Sequence, residues 1–297
     1  MKRRKLLWYS LLFTVGCASG VNTANNAPDQ LAITALKKLR FAVTDVTGLE
    51  DLQRDFGAFR TALAEVLGIP IEFFPVDNPT AAAPALLSGE VDMVFAGPSE
   101  YLILNARAKA VPVIAIKRIN YHSIILVRAN STIKSVNQLK GKTIAMRKIG
   151  STSGHLSPTK LLIDAGLDPN KDLKIVMLDD KGILALKKGE VDAWATASDR
   201  YQNILAREGL SEQDFSIIIK GPLLPSDVFV VSNQMAADFV ETVRSRMMEN
   251  QDKLIQSLIV AQANQKYKGG QLVTADDAEY NMIREVYQKL GQGNFLQ

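Results

Sequence analysis

The sequence predicts an α/β protein built as two lobes of like construction, and three observations carry that reading. The segment Ala85-Leu86-Leu87-Ser88-Gly89-Glu90-Val91-Asp92 returns one hundred residues later as Ala185-Leu186-Lys187-Lys188-Gly189-Glu190-Val191-Asp192, with six of eight positions identical. Each copy is followed by an apolar strand, at 93–96 and 193–197, then a turn, then a helical run carrying Tyr101 or Tyr201. Elsewhere apolar strands alternate with amphipathic helices, the pattern of largely parallel sheets covered by helices. A single echo of so long a period does not describe a solenoid. It describes two α/β lobes, each with a strand whose C-terminal end carries a loop, and in such sheets that end is where ligands bind.

The chain opens with Lys2, Arg3, Arg4 and Lys5, an apolar run at 6–15 and small residues before Cys17, the layout of a secretory signal. That run is too short to span a bilayer. Thr14-Val15-Gly16-Cys17 resembles a bacterial lipoprotein processing site, which implies a lipidated Cys17 and a membrane anchor; an ordinary cut near Ala18 or Ser19 is the alternative. With the only cysteine in the leader, no disulfide and no thiol catalysis are expected in the folded body. Residues 18–37, rich in Ala, Asn, Ser and Thr, read as a tether.

The whole chain has 35 Lys and Arg against 31 Asp and Glu, and the leader alone holds four of those positive charges and no acid. The remainder is therefore neutral, and the overall basic footprint that nucleic acid would need disappears with the leader. At 297 residues and 47% hydrophobic content, the chain has ample material for two cores.

Taken in order, Leu39–Val43 reads as a strand, and 51–67 as an amphipathic helix with Leu52, Phe56, Phe59, Leu63 and Val66 on one face. The next strand is 71–74. The apolar stretch 124–127 reads as the strand that leaves the first lobe, and 228–231, after the turns at Pro222 and Pro225, as the one that brings the chain back. These boundaries give lobe one as 38–127 with 228–297 and lobe two as 128–227. The tail from 236 to 291 reads as helical.

Gly150-Ser151-Thr152-Ser153-Gly154 lies between a strand-like stretch, 142–146, and a helical run, 158–165, that Gly166 stops. A helix N-terminus presents unpaired N–H groups and the positive end of the dipole, so hydroxyls placed there can hold a tetrahedral oxyanion. A single cap would need only one hydroxyl, which makes helix capping by Ser151 or Ser153 the competing reading. His155 falls in the first turn of that helix and His122 is the only other histidine. Phe95 and Trp194 read as core; Arg147 and Lys148 would add positive potential to the anion site, with a solvated hairpin edge as the default reading.

Phe95-Ala96-Gly97-Pro98, Tyr121-His122-Ser123-Ile124, Ser151-Thr152-Ser153-Gly154 with Pro158, and Pro222-Leu223-Leu224-Pro225-Ser226-Asp227 occur in the order and with the gaps seen in one family. In these motifs the chain resembles the phosphonate, phosphite and phosphate-ester binding proteins of ABC importers. The resemblance implies a periplasmic-binding-protein fold of type II, two α/β lobes joined by a hinge and closing on a ligand. It implies phosphorus-oxyanion oxygens on Ser151, Thr152 and Ser153, with Tyr121 donating from the hinge side. It places Asp179 where related proteins carry a histidine on the phosphonate, and Asp199 and Asp227 where they carry acids for a ligand ammonium, although a lone aspartate after a strand or a proline turn also reads as a helix cap or turn residue. A tyrosine that some members place before the first-lobe helix is replaced by Asn78 or Pro79.

The resemblance further implies no cofactor, no metal and no enzymatic step, a monomer that docks on a membrane permease, and a location in the periplasm or on the outer face of the cytoplasmic membrane. Asp179 is the departure with physical weight: a carboxylate about 4 Å from a phosphonate costs about 4 kcal/mol at an effective dielectric of 20. A protonated P–OH bonded to it, a ligand cation or Lys181 beside it, or a side chain turned away with Asp180 or water in its place would relieve it. Two other functions fit parts of the sequence. A two-lobed sensor presenting its closed form to a signalling partner shares the fold and the ligand chemistry. A serine hydrolase would need Lys148 or His155 as base, and neither has an identifiable orienting partner.

Overall fold

The computed structural model describes residues 37–78 and 80–296; Cys17, the leader, the tether through residue 36 and Pro79 lie outside them. Lobe one begins with β1 (Leu39–Val43), α1 (Leu49–Leu67), β2 (Ile71–Phe73), α2 (Ala82–Ser88), β3 (Met93–Ala96), α3 (Pro98–Ala108) and β4 (Val111–Lys117). The chain then crosses to lobe two: β5 (His122–Arg128), β6 (Thr143–Met146), α4 (Ser157–Asp164), β7 (Lys174–Met177), α5 (Gly182–Lys188), β8 (Ala193–Ala197), α6 (Ser198–Glu208) and β9 (Phe215–Leu223). It returns through β10 (Asp227–Val231), α7 (Ala237–Glu249), α8 (Gln251–Leu258), β11 (Gln271–Thr274) and α9 (Asn281–Lys289). The two sheets run β11-β4-β10-β3-β1-β2 and β7-β6-β8-β5-β9.

Both sheets carry a helical layer on each face. In lobe one Phe41, Phe95 and Phe229 face α1, α7 and α8, with the Phe95 and Phe229 rings stacked at 4.2 Å. Ala42, Val94, Val228 and Val230 face α2, α3 and α9 on the other side. In lobe two Ile124, Leu126 and Trp194 pack on α5 and α6, while Ile125, Val127 and Ile144 pack on Leu162 of α4. Phe95 and Trp194 are core residues, as the sequence predicts.

The hundred-residue echo repeats a set of bonds. Gly89 and Gly189 both adopt positive φ, 73° and 80°, and close their helices. Glu90 and Glu190 then donate back to Ala85 and Ala185 at 2.8 and 2.9 Å. The aspartates pin the next strand to its neighbour. Asp92 Oδ2 accepts the Arg40 N–H at 2.7 Å and Asp192 Oδ2 accepts the Thr143 N–H at 2.9 Å. Gly and Asp thus serve the helix-to-strand turn through their own chemistry and Glu through its backbone N–H, and the turn delivers β3 and β8 at the same place in each lobe.

Four expectations are corrected. The stretch 124–127 belongs to lobe two, where β5 pairs with both β8 and β9. Its side chains are apolar on both faces, which suits a strand covered on both sides inside a sheet. The crossings accordingly lie at 118–121 and 224–226, joined by a bond from Leu224 N–H to the Tyr121 carbonyl at 2.8 Å. The tail holds a strand, β11, antiparallel to β4, reached through Gly269 at φ 74° and Gly270, which end the preceding helical turn. The sheets are mixed, since β10 runs antiparallel to β3 and β4, and β5 to β8 and β9. On α1, Leu67 takes the buried position that the spacing gives to Val66, which is only partly buried.

Replacing Asp92 with Ala removes the acceptor for the Arg40 N–H and the partner of its guanidinium, 2.6 Å away. A loss of about 1 to 3 kcal/mol of stability is expected in urea unfolding.

Candidate functional site

The C-terminal ends of β1, β3, β6 and β8 face one another across a cleft of about 490 Å³ between the lobes. Ser151, Thr152 and Ser153 follow β6 on lobe two's wall. They enter a π-helical turn, Thr152–Leu156, before α4 begins. Ser151 caps it, its Oγ accepting the Gly154 N–H at 3.3 Å, which leaves the hydroxyl hydrogen free to donate outward. Among the described residues no backbone carbonyl stands in front of the Thr152 and Ser153 N–H groups, the condition under which a helix start attracts an anion. Capping is therefore done by the Ser151 Oγ, and an anion cradle would draw on other atoms of the same turn.

Thr152 reaches across the cleft. Its Oγ1 accepts the Ser99 N–H at the start of α3 and donates to Ser99 Oγ, both at 3.1 Å. Two further links tie the walls: Leu156 is buried in lobe one's core, and Lys289 pairs with Asp164 at 3.3 Å. Tyr121 is buried at the first crossing with its phenol against the Ser153 hydroxyl, and burial pushes its proton affinity up. On lobe one's wall the Thr44 hydroxyl is buried, lines the cleft and has no hydrogen-bond partner among the described residues.

The charged residues fall into pairs. Arg118, at the end of β4, is 3% exposed in its side chain. It donates to Asp199 from Nε at 2.8 Å, approaches the same carboxylate with its second nitrogen at 2.5 Å, and meets Asp227 at 3.3 Å. Its guanidinium also lies 3.5 Å from the Tyr121 ring centre. Burial alone would weaken its charge, but Asp227 and Asp199 outweigh burial and hold it protonated. Asp199 and Asp227, expected to meet a ligand ammonium, are instead engaged by this internal cation. Tyr267 also donates to Asp227, at 2.7 Å.

Asp179 lines the cleft at a left-handed φ of 50°, a conformation that aspartate tolerates better than most residues. Arg147 Nε donates to it at 2.7 Å and lies 3.3 Å from Asp180. Arg200 and Arg207 close on Asp180 at 3.6 and 3.3 Å. The cation on Asp179 is therefore Arg147, which none of the expected escapes included, and not Lys181. Arg147 and Lys148 lie in the loop after β6, which lines the cleft, and not on a hairpin edge. His122 and His155 make local bonds, to the Gly221 carbonyl and the Gly150 N–H.

Lobe one adds acids that the sequence did not mark. Asp45 follows β1 and lies 3.3 Å from Lys266. The cleft walls around this half-exposed carboxyl would raise its pKa, but Lys266, Arg200 and Arg147 outweigh that and hold it below the usual range. Glu100 sits in the first turn of α3 with its carboxyl pushed up to about 7, by burial first and then by Asp45. The readable signal for both was position, immediately after a strand that ends at the cleft. Lys266 and Tyr267 lay in the tail read as helical, and no motif in the sequence marked Arg118. Among the described residues no group of three or more His, Cys, Asp or Glu is placed to hold a metal ion, and no helix is long and apolar enough to cross a membrane.

Residues 41–280 match the family described as ABC transporter, phosphonate, periplasmic substrate-binding protein. A phosphate-import protein, PhnD, of Mycolicibacterium smegmatis is 22% identical over 245 residues, which cover 77% of this chain and 74% of that protein. Among solved structures, PhnD1 from Prochlorococcus marinus in complex with methylphosphonate superposes with a TM-score of 0.68 at 19% identity, covering 86% of this chain and 99% of that one. XAC2383 from Xanthomonas citri bound to ATP superposes with a TM-score of 0.70 at 17% identity, covering 87% and 98%. At these identities the two structures establish the fold, two α/β lobes of the type II arrangement.

Arg118→Met keeps the bulk and removes the charge, leaving Asp199 and Asp227 buried without a cation. A loss of about 3 to 5 kcal/mol is expected in urea unfolding, larger than for Asp199→Asn, which leaves Arg118 its second partner.

Proposed function

The chain belongs to the periplasmic phosphonate substrate-binding protein family of ABC transporters, and we propose that its cleft captures a small phosphorus oxyanion on Ser151, Thr152 and Ser153 and hands it to a membrane permease. The chain is a transporter's substrate-binding component; the ligand, the residues that hold it and the anchoring are the proposal. One observation carries it: a capped turn with outward hydroxyls and open N–H groups faces the start of α3 across the cleft, each at the C-terminal end of a strand.

The chemistry follows from the donors. Ser151 and Ser153 offer O–H, Thr152 and Ser153 offer backbone N–H, and Thr44 offers a buried hydroxyl from the opposite wall. Arg147 and Arg200 supply positive potential while tied to Asp179 and Asp180, so they attract the anion without needing to touch it. With Asp199 and Asp227 committed to Arg118, a ligand ammonium has no free acid at those two positions. Those two positions therefore give an aminoalkyl phosphonate no advantage over phosphate, phosphite or methylphosphonate. A cleft of about 490 Å³ leaves room for a substituent or several waters beside the tetrahedral group.

Closure is a population shift driven by contacts that exist only when both walls meet the ligand. The Thr152 to Ser99 bond is one place where the walls already meet. No covalent step is part of this reading. A lipid on Cys17 would keep the protein at the membrane surface, where a permease is reached by a monomer without a second binding partner.

A thermal-shift panel with phosphate, phosphite, methylphosphonate, 2-aminoethylphosphonate and a few amino acids tests the proposal. A raised midpoint is expected with at least one phosphorus oxyanion lacking an amine, by mass action on the folded state. Ser151→Ala should then weaken that ligand by about 1.5 to 3 kcal/mol in titration calorimetry, the range for a hydrogen bond to a charged group. Midpoints that no phosphorus compound moves would return Ser151–Ser153 to a capping role.

A further inference from the structure

Resting on the reading of the cleft as an oxyanion site, we propose that Glu100 makes the cleft demand an oxyanion that carries a proton, so that hydrogenphosphate or a monoprotonated phosphonate is accepted and sulfate or a sulfonate is refused.

The placement of Glu100 is the first ground. Its Oε2 accepts the Ser99 hydroxyl at 2.9 Å, and Ser99 Oγ in turn accepts the Thr152 hydroxyl at 3.1 Å. One chain of hydrogen bonds therefore joins the hydroxyl cradle of lobe two to a carboxylate of lobe one. Gly97 makes room for it: a Cβ there would stand 2.5 Å from Glu100 Oε2, so a side chain at 97 would push the carboxylate from its place near the start of α3 on the cleft wall.

The second ground is charge. Asp179 is held by Arg147, Asp199 and Asp227 by Arg118, and Asp45 by Lys266. Among the described residues Glu100 has no lysine or arginine within ion-pair distance. The ionisable groups that face it are Asp45 after β1, Asp227 at the start of β10 and Tyr287 on α9, and the two aspartates add negative charge of their own. Its carboxyl is accordingly pushed up to about 7, so the group and a phosphorus oxyanion near its last ionisation compete for one proton.

Sharing that proton resolves the conflict. A P–OH donating to an ionised Glu100, or a protonated Glu100 donating to a fully ionised oxygen, replaces a like-charge contact with a charge-assisted hydrogen bond. Sulfate and sulfonates bring no proton at neutral pH, and a site built to bond a ligand hydroxyl discriminates strongly against an analogue that lacks it. Below the carboxyl's pKa the glutamic acid supplies the proton itself, so the refusal of sulfate should relax as pH falls through about 7.

The test is titration calorimetry of the protein and of Glu100→Gln with phosphate, methylphosphonate, sulfate and methanesulfonate. The unaltered protein is expected to prefer phosphate over sulfate by about a hundredfold or more near pH 8, and the variant to narrow that ratio at least roughly tenfold. Sulfate affinity of the unaltered protein should rise from about pH 8.5 to about pH 5.5, and that of the variant should stay flat. The pH series on the unaltered protein decides the matter alone if the variant does not fold. Binding of phosphate or methylphosphonate with an unchanged ratio in the variant, or with sulfate affinity independent of pH, overturns the role of Glu100 and leaves the oxyanion site standing. Failure of the unaltered protein to bind any phosphorus compound overturns the site reading itself.

Discussion

Arg118 is the constraint on which the arrangement of the two lobes depends. It follows β4 at the start of the first crossing, reaches Asp227 just after the second, and reaches Asp199 on the first turn of α6 in lobe two. One guanidinium thereby ties both hinge segments to each other and to the second lobe. Stacking on Tyr121 fixes its plane, and burial removes the water that would otherwise weaken the pairing. Because the ion pair is buried, its value lies less in net stability than in specifying one geometry: a lobe rotation that parted Arg118 from either acid would leave a charge stranded.

The same pairing principle organises the rest of the cleft. Lobe two concentrates Arg147, Arg200 and Arg207 around Asp179 and Asp180, while lobe one presents Asp45 with Lys266 and Glu100 without a cation. The walls are thus close to neutral in sum but not in detail. Positive potential reaches the cleft from side chains already paired with acids, and in the proposed reading the hydroxyls and N–H groups of the Ser151 turn are what an anion would contact. Such a site gains affinity from fixed dipoles aimed at one point, which cost little to reorganise when a ligand arrives.

Much of this was legible in the sequence, and what was not follows a physical rule. The echo at 85–92 and 185–192 announced two lobes because it encodes bonds within a few residues: a left-handed glycine, a backward N–H and an aspartate that clamps the adjacent strand. The Ser-Thr-Ser turn was legible for the same local reason. Pairings set by distant segments were not. Residues 124–127 look like any apolar strand, and only the partners β8 and β9 assign them to lobe two. Asp199 and Asp227 look like free acids until Arg118, 81 and 109 residues away, is seen between them. Asp179 looked like a liability until Arg147 was found on it, and β11 was hidden because its partner β4 lies more than 150 residues earlier.

A crystal structure of the protein grown with methylphosphonate tests the central claim most directly. The phosphonate oxygens should lie between the lobes within hydrogen-bond reach of Ser151, Thr152 and Ser153, with Arg118 still bonded to Asp199 and Asp227. A phosphonate held by Arg118 after release from its two acids, or bound outside the cleft, would contradict the account.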